Sequence, residues 1–253
     1  MSFDLLQPRN KRNKLILSFQ MTSSTILRDI RFLGKRTRLW TTSSSLDKVI
    51  IFLHGSGDTA FGFEKWLRDV RPQGPPSNVG VILPSAPMRP YLLNGGELSS
   101  VWHQRKDLDI NSDFEDIHGI DEICLGLTNL MNDIKNAGIS DITVGGFSMG
   151  GHVALHSVFR KQLAVNKCFA LSSFLIHKSA VYDSINRGSN VLLYLAHGDS
   201  DALVSHKWAQ NVAEKMESFN VETYITIYKG VGHEITSGII SDVFTWAVDR
   251  DKT

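Results

Sequence analysis

Short runs of β-branched and aliphatic residues alternate along this chain with stretches in which apolar positions return every three or four residues. An unbroken apolar run of four to eight marks a buried strand, and a period of 3.6 marks a helix with one buried face. Lys48 to Leu53 (KVIIFL) is such a run, and it ends on the turn formers His54-Gly55-Ser56-Gly57. Val79 to Leu83, Ile142 to Phe147, Cys168 to Leu171 and Val191 to Ala196 repeat it, and Glu222 to Tyr228 alternates as a further strand. Ile117, Ile120, Cys124, Leu127, Met131 and Ile134 predict a long helix between them. Val204, Trp208, Val212 and Met216 predict another, and Ile239, Ile240, Val243, Phe244 and Ala247 a last one. This alternation predicts an α/β fold, a mostly parallel central sheet with helices on both faces. Ser85 to Phe114 breaks the pattern with Pro87, Pro90 and Asn94-Gly95-Gly96. A stretch this long without periodicity is more often functional than idle, and in such sheets ligands bind at the carboxyl ends of the strands.

Composition narrows the class. The 253 residues carry 27 Lys+Arg against 26 Asp+Glu, a net charge of +1, which provides no basic field for nucleic acid. At 42% hydrophobic and 21% charged residues the chain has ample apolar mass for a core. Two cysteines, Cys124 and Cys168, make no disulfide scaffold and fit a reducing compartment, so a cytoplasmic location is expected. No apolar run approaches the roughly 18 residues that span a bilayer. Arg9, Lys11, Arg12 and Lys14 against Asp4 alone make the start of the chain basic. We read residues 1–23 as a basic extension expected to be disordered, and residues 24–253 as a single domain without a cap domain. The leader's composition also suits a mitochondrial presequence, against which Asp4 and Pro8 speak.

Gly146-Phe147-Ser148-Met149-Gly150 fits G-x-S-x-G, the nucleophile elbow in which a serine stands on a tight strand-to-helix turn. The pattern alone is weak, but a strand pattern precedes it and Gly151 to Val158 follow as an amphipathic helix. The glycines let the neighbouring strand and helix pass close to a strained serine. A hydrolase then needs an acid and a histidine later in the chain, in that order. Val191 to Ala196 leads into His197-Gly198-Asp199-Ser200-Asp201, and Glu222 to Tyr228 leads into Gly230-Val231-Gly232-His233. Asp201 competes with a role as N-cap of a helix starting near Leu203, and Asp199 is the reserve acid. For the oxyanion hole the donors are the backbone amides of Met149, just after the nucleophile, and of Ser56 in the glycine-flanked loop after the first core strand.

The other histidines get structural readings. His54 shapes its turn. His152 and His156 are spaced i, i+4 on one helix as zinc ligands can be, but no third ligand is evident, so no metal site is expected. His103, His118, His177, His197 and His206 are read as loop or helix-surface residues. Trp102 lines the acyl site or packs in its loop.

In combination, FLHGSGD (Phe52 to Asp58), PSAPMRP (Pro84 to Pro90), GGFSMGG (Gly145 to Gly151), ALSSFL (Ala170 to Leu175), HGDSDALV (His197 to Val204) and GVGHE (Gly230 to Glu234) resemble the acyl-protein thioesterase/lysophospholipase family of small α/β-hydrolases. The likeness runs from about Lys48 to Val248. It implies a Ser148-Asp201-His233 triad, settling Asp201 over Asp199, with oxyanion donors at Ser56 and Met149. It also implies hydrolysis of thioesters on S-acylated proteins and of small carboxylesters, some members also acting on lysophospholipids, without a cofactor and with at most transient peripheral membrane contact. Two positions depart from the family pattern: Ala202 stands where proline is usual, and Trp102-His103-Gln104 where Trp-Phe-Asp is common. The alternatives are a carboxylesterase or lysophospholipase using the same site on short-chain esters, and a catalytically silent hydrolase fold used for binding.

Overall fold

The computed structural model describes residues 22–186 and 189–249. Seven strands make one sheet: β1 (Arg38–Trp40), β2 (Lys48–Leu53), β3 (Val79–Leu83), β4 (Asp141–Phe147), β5 (Lys167–Leu171), β6 (Leu192–Gly198) and β7 (Thr223–Tyr228). Their spatial order is β7-β6-β5-β4-β2-β3-β1. Each adjacent pair is parallel except β1 with β3, which is antiparallel. The helices are α1 (Ser23–Leu27), α2 (Ala60–Val70), α3 (Ile117–Asn136), α4 (Met149–Leu155), α5 (Ala180–Ser184), α6 (His206–Ser218) and α7 (Ser237–Val248). A π-helical turn, His156–Arg160, continues α4. Of the predicted extension, residues 1–21 lie outside the described residues; Thr22 caps α1 and Ser23 opens it.

The period of two along β2 builds both layers at once. Val49, Ile51 and Leu53 pack with α3, α4 and α6, through Ile123, Leu127, Val153 and Met216. Ile50 and Phe52 point the other way, onto Phe63 and Leu67 of α2 and Phe244 of α7. Hence every residue of β2 is buried, including Lys48, whose ammonium pairs with Asp141 on β4. Side-chain caps set the helix starts: Thr59 accepts from the Gly62 amide, Asp116 from Gly119 and Thr236 from Ile239. The cap of α6 is Ser205, so that helix begins at His206 and Asp201 is not its N-cap.

The Ser85 to Phe114 stretch is less irregular than its sequence suggests. Met88–Pro90 pairs antiparallel with Leu98–Ser100, and Leu92–Asn94 forms a 3-10 turn at the tip. This connection is too small for a cap domain. No helix among the described residues is long and apolar enough to cross a membrane.

The order of the strands places the site. In the sheet β3 and β1 lie on one side of β2 and β4 to β7 on the other, and the chain crosses from β3 back past β2 to β4, so the reversal of strand order falls between β2 and β4. Leu53 lies opposite Gly146 there. The loops that carry Ser56 and Ser148 therefore leave the sheet side by side.

Candidate active site

Ser148 sits between β4 and α4 at φ 53°, ψ −120°, a strained conformation for a residue with a side chain. Backbone bonds over-determine it: its amide donates to the Leu171 carbonyl at 2.8 Å, and its carbonyl accepts from the Ser173 hydroxyl at 2.8 Å. The turn is possible because Gly146 has no side chain; a Cβ there would lie 2.2 Å from the Gly150 backbone. Since Ser148 is N-cap to α4 and its side chain caps nothing, the hydroxyl is free for other work.

That hydroxyl meets His233. The Nε2 of His233 is 3.1 Å from Ser148 Oγ, and its Nδ1 is 2.7 Å from Asp201 Oδ2. Three segments far apart in sequence thus converge on one line of hydrogen bonds. The ring of His233 also leans on Phe147, centroid to centroid 4.8 Å. Asp201 does two jobs with two oxygens. Its Oδ1 accepts the amides of Leu203 (2.9 Å) and Val204 (2.8 Å), while Oδ2 faces His233. Burial alone would raise its pKa, but hydrogen bonds from His197, His233 and the Val204 amide outweigh that and hold the carboxyl well below the usual carboxylate range. Asp199, the reserve acid, is engaged elsewhere: its Oδ1 accepts from the Gly230 amide at 2.7 Å and so tethers the loop that carries His233.

The same loop passes close to the end of β6. A Cβ on Gly198 would sit 2.0 Å from the Val231 carbonyl oxygen, two residues before His233. Backbone cannot yield there as a flexible side chain would. Gly198→Ala is therefore expected to displace His233 and lower kcat by about 10²-fold while the far-ultraviolet circular dichroism stays native; unchanged kcat would show that the loop adapts.

Among the described residues, the amides of Ser56 and Met149 find no backbone acceptor. Met149 is the first residue of α4, so its N–H has no intrahelical partner. In the loop after β2, Gly57 donates to the Ser100 carbonyl at 2.8 Å, and Ser56 is exposed on the turn. His54 anchors this turn, as predicted, and ties three segments together. Its Nδ1–H donates to the Gly55 carbonyl (2.7 Å), its Nε2 accepts from the Ala86 amide (3.1 Å), and its own carbonyl accepts from the Trp102 indole (2.8 Å). Burial lowers the His54 pKa, which keeps the acceptor nitrogen unprotonated.

Trp102 has no exposed surface and packs edge-on to Phe32 and tilted against His54. Of the two readings offered by the sequence, packing in the loop is what this burial and these contacts describe. Trp102→Phe leaves the buried His54 carbonyl without its donor, so it should destabilise the fold by about 1–3 kcal/mol in urea unfolding, with KM for a small ester unchanged. An altered KM with unchanged stability would restore the substrate-lining role.

Two histidine readings need correction. His103 and His197, expected on loops or helix surfaces, are buried. His152 and His156 do have a third neighbour: Glu115 Oε1 lies 3.0 Å from His156 Nε2 and 3.5 Å from His152 Nε2. The tautomer argues against a metal there. Arg160 Nε donates to His156 Nδ1 at 2.9 Å, so the proton of a neutral His156 sits on Nε2, the atom a metal would need. A ligating histidine instead donates its second N–H to an acceptor, which a guanidinium cannot be. The cluster is a hydrogen-bond hub: Glu115 Oε2 accepts the Ala180 amide at 2.8 Å and joins the segment before α3 to α4 and α5. Burial pushes His152 down to about 4, so the ring is neutral at physiological pH.

Comparison with known proteins identifies the family. The family model described as Phospholipase/Carboxylesterase matches residues 38–246. The mouse protein lysophospholipase-like protein 1 is 34% identical over 206 residues, covering 79% of this chain and 86% of the relative. Acyl-protein thioesterase 1 homolog 1 of Dictyostelium discoideum is 28% identical, covering 73% of this chain and 82% of the relative. Among solved structures, acyl-protein thioesterase 2 of Zea mays superposes with a TM-score of 0.70 at 25% identity, over 83% of this chain and 96% of that one. A match across most of the sheet, a strained serine at its switch point and relatives of this kind lead to one conclusion: the chain belongs to the phospholipase/carboxylesterase family of α/β-hydrolases and is a serine hydrolase acting on acyl esters.

Proposed function

We propose that the chain cleaves acyl thioesters on S-acylated proteins, with Ser148 as nucleophile, His233 as base, Asp201 as its orienting acid, and the Ser56 and Met149 amides as the oxyanion hole. The observation that carries this reading is the unbroken line Ser148 Oγ, His233 Nε2, His233 Nδ1, Asp201 Oδ2 at 3.1 and 2.7 Å. His233 takes the Ser148 proton as Oγ bonds to the acyl carbonyl carbon, and the carbonyl oxygen becomes an oxyanion held by the two amides. Collapse breaks the carbon–sulfur bond, and the thiolate leaves with the proton from His233. Water, deprotonated by the same ring, attacks the acyl-enzyme and releases the free acid and Ser148. Every proton is accounted for by one histidine, so the reaction needs no metal or organic cofactor. The acylated protein as substrate rests on the thioesterase names among the relatives. Buried, unpaired Cys124 and Cys168 fit the reducing cytoplasm as the place of work.

A second reading, hydrolysis of short carboxylesters or lysophospholipids by the same groups, is favoured by the family description and by the mouse relative. Turnover of a palmitoyl-peptide thioester compared with that of an acetyl ester separates the two. We expect both to be cleaved; absence of thioester cleavage rejects the first reading and leaves the second. Failure of wild-type protein to react with a fluorophosphonate rejects the triad itself and favours a silent hydrolase fold.

A further inference from the structure

Asp201 has a second imidazole against it. His197, on β6, has no exposed surface, and its Nε2 lies 2.7 Å from the Val204 carbonyl oxygen and 3.2 Å from Asp201 Oδ2. A carbonyl only accepts, so the proton is on Nε2, and this one N–H is shared between the carbonyl and the carboxylate. Val204 is held from both sides, since its own amide donates to Asp201 Oδ1. Asp201, Val204 and His197 close a small polar ring, and Oδ2 receives two imidazole donors, His197 from inside the fold and His233 from the side of the nucleophile.

The opposite nitrogen of His197 is informative. No described residue reaches its Nδ1, which is fully buried. An orphaned polar atom in the core is a cost that an aliphatic side chain of similar size would not carry. Packing alone therefore does not account for an imidazole at this position, whereas the shared Nε2–H does.

We propose that His197 is a positioning residue for the acyl-transfer reaction: its Nε2–H fixes the plane of the Asp201 carboxylate so that Oδ2 meets Nδ1 of His233. This rests on the triad reading above. The two backbone amides at Oδ1 hold one oxygen but leave the carboxylate free to rock about it, and the His197 bond removes that freedom. It also draws charge from Oδ2, which keeps the proton on His233 instead of passing it to the acid. Among the described residues, the titratable and charged groups around this ring are Asp201 and His233, with Asp199 on the same turn tied to Gly230 and near His206 and Lys229.

The test compares two polar variants of the full chain. In His197→Gln the amide nitrogen reaches the place of Nε2 and restores the shared donor; in His197→Asn it reaches only the place of Nδ1. With an acetyl ester, H197N is expected to lose kcat by about 10- to 100-fold at unchanged KM, and H197Q to recover most of it. Without the donor, Asp201 pairs more strongly with protonated His233, so the acid limb of kcat/KM should move to higher pH in H197N and return in H197Q. Equal kcat and equal acid limbs in the two variants, with equal melting temperatures, overturn the proposal. Wild-type labelling by a fluorophosphonate is measured alongside: no labelling means that the triad reading has failed, whereas labelling together with equal Asn and Gln variants means that only the role of His197 has.

Discussion

Ser148→Ala is expected to reduce turnover of an acetyl ester by about 10⁶-fold and to abolish fluorophosphonate labelling, without lowering the melting temperature. The last clause follows from how the elbow is built. Both bonds that hold Ser148 at positive φ use its backbone, the amide to Leu171 and the carbonyl to Ser173, and both survive removal of the hydroxyl. Its side chain caps no helix amide, so α4 loses nothing either. The alanine variant thus separates chemistry from folding more cleanly than a change at Gly146, where a Cβ would strike the Gly150 backbone. Equal labelling of wild type and S148A would place the nucleophile elsewhere.

The elbow was legible in the sequence because local rules specify it: a β-branched run, two glycines at fixed offsets, then a helical period. Five of the core strands were legible for a similar reason, since a strand buried on both faces leaves an unbroken apolar run, as β2 and β3 do, whereas the half-exposed β7 showed itself by alternation. What escaped was whatever depends on neighbours distant in the chain. β1 is three residues long with exposed Arg38 at its head, too short to show a period, and it exists because β3 offers an edge. In α2 the period is blurred by Phe61, which is apolar but 64% exposed, on the face opposite Phe63 and Leu67. Glu115 stands well before His152 and His156 in sequence, and only the packing of the segment before α3 on α4 brings the three together. His197 looked like a loop residue because the predicted strand ended at Ala196; β6 runs to Gly198, which turns the ring into the core. The choice between Asp199 and Asp201 was of this kind too. Both acids follow the same strand, and what separates them is that Asp199 reaches forward to Gly230 while Asp201 reaches His233.

That division of labour fixes what happens when the acid is made an amide. Asp201→Asn should lower kcat by about 10⁴-fold, and the hydrogen bonds give the reason. The amides of Leu203 and Val204 only donate, so the oxygen of the new side chain must take the place of Oδ1. Its NH2 group then takes the place of Oδ2, against His233 Nδ1 and His197 Nε2. A neutral His233 can accept from that NH2 only as the tautomer with its proton on Nε2, and the atom facing Ser148 is then a donor that cannot take the serine proton. His197 has no such escape: the Val204 carbonyl holds the proton on its Nε2, so two donors face each other in a site without water access to relieve them. The variant should therefore lose stability as well as rate, which a surface aspartate would not, and His197→Asn on the D201N background should cost less stability than it does alone. A double-mutant cycle read by urea unfolding checks this. Additive losses would mean that His197 and Asp201 do not share the bond described, even if the rate falls as expected.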